Sequence, residues 1–281
     1  MTLDPVTGMI GSPLPVGNGP DKLALSGDGQ YLYVGLDLDS AVRRVRLDTQ
    51  TPDLQFSVGN GLLVADMEVV PQNPAVVVVS RRHVAGGSPQ HAGVAVYDGG
   101  TQRSQTTSVP VYANVIAYSD SPTTLYAFGN ESSDFLFHRL LVNSSGVSVQ
   151  SSTAGLISGF GIDIKYAAGR VYATSGAVVD PAALSVVGTF TGAGLGTFNG
   201  SGYGPLVQPD PENGRVYFLL LDGPDWKLRA YDAATFGAVG SLTIPGVTGA
   251  PSSLIRWGAD GLAFRTSGGQ VFCVSGQRYR V

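Results

Sequence analysis

Residues 20–58 read PDKLALSGDGQYLYVGLDLDSAVRRVRLDTQTPDLQFSV, and this stretch decides the fold. An apolar strand leads into Ser26-Gly27-Asp28-Gly29, a sequence with turn chemistry. The β-formers Tyr31, Leu32, Tyr33 and Val34 follow as a second strand. A polar loop precedes a third strand that ends at Leu47-Asp48, and a short turn leads into a fourth. Four short strands joined by turns make one antiparallel sheet.

The same unit recurs along the chain. Taking the middle of each second strand as a marker gives Tyr33, Val77, Tyr126, Tyr172, Tyr217 and Ala263, spaced 44 to 49 residues apart. A turn signal precedes every marker. Repeats of this period with four strands each indicate a β-propeller. The count gives six four-stranded blades over residues 18–58, 59–109, 110–153, 154–190, 191–245 and 246–281, in one domain spanning 1–281; a seventh blade would need a hairpin hidden in 190–203. Residues 1–17, MTLDPVTGMIGSPLPVG, align with 231–245 as a third-to-fourth-strand turn and an outer strand. They are therefore expected to complete the last blade and close the ring, which would leave no open sheet edge.

Composition agrees with this reading. The 281 residues are 43% hydrophobic and only 14% charged, with 39 Gly and 17 Pro, which suits many short strands and turns. The formal net charge is −4, and no Lys/Arg stripe of the kind that neutralises phosphates is present, so nucleic acid is not an expected partner. No apolar run reaches membrane-spanning length. The single Cys273 cannot form an internal disulfide and leaves the compartment open. No signal peptide is read at the start; a Met placed directly on mid-repeat sequence suggests a domain cut from a longer protein.

The stretch from Pro20 resembles the YVTN-type bacterial β-propeller repeat in its Gly29 turn, in Tyr31-x-Tyr33-Val34, and in Val45-x-Leu47-Asp48. Leu3-Asp4-Pro5-Val6-Thr7-Gly8 matches the same family's turn. The second unit departs most, since PQNPAVVVVS lacks Gly and Tyr. The resemblance implies a secreted or cell-surface bacterial protein with a binding role.

Function is expected in the loops that vary. Strand-one-to-two and three-to-four turns are short and uniform. The loops between strands two and three vary: 36–40 (LDLDS), 80–93 (SRRHVAGGSPQHAG), 129–134 (GNESSD) and 221–226 (LDGPDW). Variable loops on a rigid scaffold are where binding residues concentrate. Asp37, Asp39, Arg82, His83, His91, Phe198, Tyr203 and Trp226 are the candidate binding residues: charged and imidazole groups for an anion or metal, aromatics for a sugar or protein. Each also has a plain structural reading, as exposed loop groups or blade packing. His138 and the aromatics Tyr112 and Phe160 read as structural.

The alternative function is a metal-dependent lactonase- or lyase-type propeller enzyme. Asp21, Asp66, Asn114 and Asp163, at strand starts, would offer oxygen ligands to Ca²⁺ in the central channel. Asp at such places also caps loops without any metal. Gly192-Ala193-Gly194-Leu195-Gly196 lacks both the spacing and the helix of a phosphate loop. The sequence thus favours a non-catalytic binding or scaffold propeller, monomeric, with a protein or carbohydrate partner on the loop-rich face.

Overall fold

The structure, a computed structural model, describes residues 2–108, 111–192, 195 and 204–275. Among them there is no helix; the chain forms six antiparallel meander sheets. It divides into two compact units, Met1–Thr153 and Ala154–Val281.

The first unit holds three four-stranded sheets. The first is β1 (Pro20–Leu25), β2 (Tyr31–Leu36), β3 (Ala41–Arg46) and β4 (Thr51–Ser57). The second is β5 (Leu62–Val69), β6 (Val76–His83), β7 (His91–Asp98) and the two-residue β8 (Thr101–Gln102). The third is β9 (Val115–Tyr118), β10 (Thr124–Phe128), β11 (Phe137–Asn143) and β12 (Gly146–Thr153). The leading strands β1, β5 and β9 are neighbours in that order.

The second unit repeats the plan. β13 (Ile164–Ala167), β14 (Arg170–Ala173), β15 (Ala177–Asp180) and β16 (Ser185–Thr189) form one sheet. β17 (Leu206–Asp210), β18 (Arg215–Asp222), β19 (Asp225–Asp232) and β20 (Ala238–Ile244) form the next. The last, β21 (Pro251–Trp257), β22 (Gly261–Thr266) and β23 (Val271–Val274), has three strands among the described residues.

The repeat's local chemistry is visible at each turn. In the first, Ser26 and Tyr31 are joined through the Ser26 hydroxyl at 2.9 Å, and the Gln30 amide donates to Asp28 Oδ1 at 3.0 Å. Gly29 sits at φ +69°, a conformation that costs glycine nothing. At the third-to-fourth-strand turns an Asp or Asn carboxyl or amide oxygen folds back onto the following amides, as expected. Asp180 Oδ1 accepts from Ala182 and Ala183 at 2.9 Å, and Asp232 Oδ1 from Ala234 and Thr235 at 3.0 and 2.9 Å. Asp4 does the same with Val6 and Thr7, so the N-terminal segment carries the turn of the repeat.

Among residues 2–17 no ladder strand is described. Leu3 and Ile10 form an isolated bridge, making a small ribbon. Leu14 and Val16 then pack on Val34, Leu36 and Val45 of the first sheet, and Arg43 Nε donates to the Val16 carbonyl at 3.1 Å. Pro13 and Pro15 lack amide donors along one edge, which restricts ladder pairing there.

Core clusters of the described residues fill the first unit between successive sheets. Valines 77 and 79 face Phe56, Val58 and Tyr97, and valines 78 and 94 face Ile116, Leu125 and Leu140. Strand β6 is buried on both faces, which explains its unbroken run of valine. The tyrosine that marks the repeat is buried and keeps a polar handle: Tyr33 Oη donates to the Pro74 carbonyl of the next sheet at 2.8 Å.

Candidate functional site: the loop edge of the first unit

In the first unit the loops β2–β3, β6–β7 and β10–β11 leave the same end of three neighbouring sheets. Side-chain bonds tie them to one another. Arg82, near the end of β6, donates from Nη2 to Asp37 Oδ2 at 2.8 Å, joining the second sheet to the β2–β3 loop. The Gln90 amide, just before β7, donates to Glu131 Oε2 at 2.7 Å, joining the β6–β7 and β10–β11 loops. Three sequence-distant loops are thereby held as one surface. Leu38 (80% exposed) and Val84 (53% exposed) stand out from it.

The sequence-derived residues distribute unevenly over this surface. Asp37 is half-buried; desolvation raises its pKa, with Arg82 opposing that shift. Its Oδ1 is buried and without a partner. Asp39 instead clasps the chain's own N-terminal segment, accepting from the Asn18 amide at 3.1 Å and from Asn18 Nδ2 at 2.9 Å. Those bonds hold its carboxyl below the ordinary range. His83 is exposed at the loop root, where its amide donates to the Gln90 carbonyl at 2.8 Å.

The sequence places His91 in the loop, but it opens β7 and is buried. Nδ1 lies 3.5 Å from Ser80 Oγ, whose hydroxyl donates to the Ala113 carbonyl at 2.8 Å; Nε2 has no partner. Burial, then the charge of Arg81, depresses its pKa to about 4. His138 is buried in β11, its Nδ1 2.8 Å from Ser152 Oγ, and burial lowers its pKa as well. Both imidazoles are neutral at pH 7.

Trp226 corrects the sequence reading. The segment 221–226 forms no open loop: β18 and β19 close on Gly223-Pro224, with Asp222 paired to Asp225 and Leu221 to Trp226. The indole is buried among Leu219, Leu228, Ile244 and Phe264 in the second unit's core. A two-residue turn makes the flanking residues strand, and alternation then sends Trp226 inward. Phe198 and Tyr203 lie outside the described residues.

The four candidate metal ligands are placed as follows. Asp21 is half-buried on β1, 3.6 Å from Lys22 Nζ. Asp66 accepts from the Met67 amide at 2.9 Å and, through Oδ2, from the Ile116 amide at 2.8 Å, stitching β5 to β9. Asn114 is buried, and neither amide atom has a partner. Asp163, in the second unit, accepts from the Ile164 amide at 2.8 Å. Among the described residues no group of three or more His, Cys, Asp or Glu is placed to hold a metal ion.

Sequence reasoning passes over Glu131 and underweights Arg81. Glu131 lies in one of the variable loops, yet only the fold shows which amide it meets. Arg81 sits at a bulge: the β6–β7 register shifts between Ser80 and Arg82. The signal for it is Gly93, a glycine inside an otherwise alternating strand, which marks bulges and close approaches. Gly93 has φ +88°, and a Cβ there would run into the Thr107 carbonyl oxygen.

No protein-family model and no curated protein matches the sequence. The fold is similar to that in a solved structure of Kuenenia stuttgartiensis hydrazine synthase, with a TM-score of 0.71. That likeness covers 93% of this chain and 84% of the other at 14% sequence identity. The chain has a β-propeller fold of six blades. Identity this low carries the fold and nothing of the other protein's chemistry. The YVTN-type repeat stays a likeness of motif, since no family model matches it.

Proposed function

We propose that this propeller is a non-catalytic binding or scaffold module of a bacterial surface or secreted protein. It takes a protein or carbohydrate partner on the loop edge of the first unit. The observation that carries this reading is the pair of bonds Arg82–Asp37 and Gln90–Glu131, which hold three loops together while Leu38 and Val84 face outward. A preorganised loop surface spends less ordering free energy on binding than three independent loops would. Among the described residues no helix is long and apolar enough to cross a membrane.

The test uses the protein as bait against cell-surface extract and against a defined glycan array, alongside a Leu38→Asp/Val84→Asp variant. Both positions are exposed, so the variant should melt like the parent. A partner held by the parent and lost from the variant supports the reading. A partner held equally by both rejects it.

A second reading, the metal-dependent lactonase or lyase, keeps one supporting observation: the buried Asn114 amide with no partner, close in sequence to the Ile116 amide that Asp66 accepts. Ca²⁺ is the ion such oxygen ligands suit. Saturable stabilisation by Ca²⁺ that Asn114→Leu abolishes would favour it over the binding reading.

A further inference from the structure

Two formally charged side chains are buried among the described residues: Asp210 (1% exposed) and Arg81 (8% exposed). Asp210 has its counter-ion, with Arg256 Nη1 at 2.6 Å. Arg81 has none among the described residues. Its Nε donates to the Gly93 carbonyl at 3.4 Å and its Nη1 to Gln102 Oε1 at 3.2 Å. Both acceptors are neutral and both bonds are long. The buried phenol of Tyr97 is a further neutral neighbour. Nη2 lies against Gly93, where a Cβ would come within 3.5 Å of it.

Removing a guanidinium from water is costly, and neutral carbonyls offset only part of that cost. Natural proteins pair such charges. The neighbouring Arg82 follows the rule, with Asp37 at 2.8 Å. The second sheet is shaped to hold Arg81 apart from it. Both ladders of β6 shift register around this point, between Val64 and Asp66 on one side and between Ser80 and Arg82 on the other. Bulges of this kind re-aim a side chain. Polar groups surround the place: Tyr97 Oη reaches the same Gln102 Oε1 at 3.2 Å, and His91 Nε2 is buried without a partner.

We propose that Arg81 forms the centre of a binding site for a small monovalent anion, of which chloride is the simplest, at the bulge of the second sheet. Nη2, beside Gly93, supplies the charged donor. The anion balances the one buried charge that the protein's own carboxylates, among the described residues, leave uncompensated. The site is independent of any partner on the loop edge.

The experiment is thermal unfolding of the whole chain in sodium chloride against sodium sulfate at matched ionic strength, for the parent and for Arg81→Gln. The parent should show a saturable rise in Tm of a few degrees that follows chloride and not sulfate, and Arg81→Gln should lose it. The same chloride response in both proteins, or none in the parent, overturns the site. If Arg81→Gln does not fold, crystals of the parent grown in sodium bromide decide. Anomalous density within hydrogen-bonding distance of Arg81 Nη2 supports the proposal, and its absence there overturns it.

Discussion

His91 shows how a buried neutral imidazole makes stability depend on pH. Unfolded, its pKa lies near 6.5; folded, it is about 4, chiefly through burial. Below about pH 6.5 the unfolded chain takes up a proton that the folded chain refuses, so stability falls as pH drops through that window and levels off near 4. At about 1.4 kcal/mol per pH unit the loss approaches about 3 kcal/mol. Denaturant titrations of the parent should show this slope between pH 7 and 4. His91→Gln should flatten it, with the remainder shared by His138, and an unchanged slope would remove His91 as its source. A second residue-scale contrast concerns ion pairs. Asp210→Ala removes the buried partner of Arg256 and leaves it only the exposed Glu212 carboxylate at 3.1 Å, so it should cost clearly more than the loss of a surface pair. Arg46→Ala breaks the exposed pair with Asp48 and should leave stability almost unchanged, because solvent screens the pair. Equal costs in urea denaturation would contradict the burial assigned to Asp210. Neither Asp210 nor its pairing was legible from the sequence, because the partners lie 46 positions apart and meet only when two turns are brought together.

At the scale of elements, the turns were the most legible part of the chain. Asx-type turns at Asp4, Asp180 and Asp232 form because an Asp side chain satisfies amides two and three residues ahead, a local rule that needs no tertiary context. The N-terminal segment shows where local reading stops. Its turn was readable, but where residues 12–17 would dock depends on which apolar face is left uncovered. Leu14 and Val16 found that face on the first sheet. Deleting residues 2–17 should therefore destabilise the protein by about 2–4 kcal/mol, the scale of two partly buried aliphatic side chains. Hydrogen exchange should then quicken in β2 and β3. Deleting residues 2–11 alone removes a ribbon whose Val6, Met9 and Ile10 are already exposed, and should change Tm little. Comparable losses from both deletions would show that the ribbon itself is structural. Trp226 makes the same point from the other direction: an aromatic beside Gly-Pro looks like loop, until a two-residue turn makes it strand.

For the molecule as a whole, the repeat spacing carried the blade count, and the likeness in fold agrees with it. The last sheet has three strands among the described residues. If residues 1–281 are one cooperative domain, heating should give one transition with matching calorimetric and van't Hoff enthalpies. Two transitions, separable by expressing 1–153 and 154–281 apart, would mean the two units fold independently. Function was less legible than fold, because loops carry no period: Asp37 and Arg82 could be named, but their bond to each other could not. Hydrogen–deuterium exchange on the chain with and without its captured partner tests most directly whether the loop edge of the first unit is the working surface. If it is, new protection appears in 37–40, 84–90 and 129–136. Protection confined instead to the opposite turns, at 26–30, 70–75 and 119–123, would contradict it.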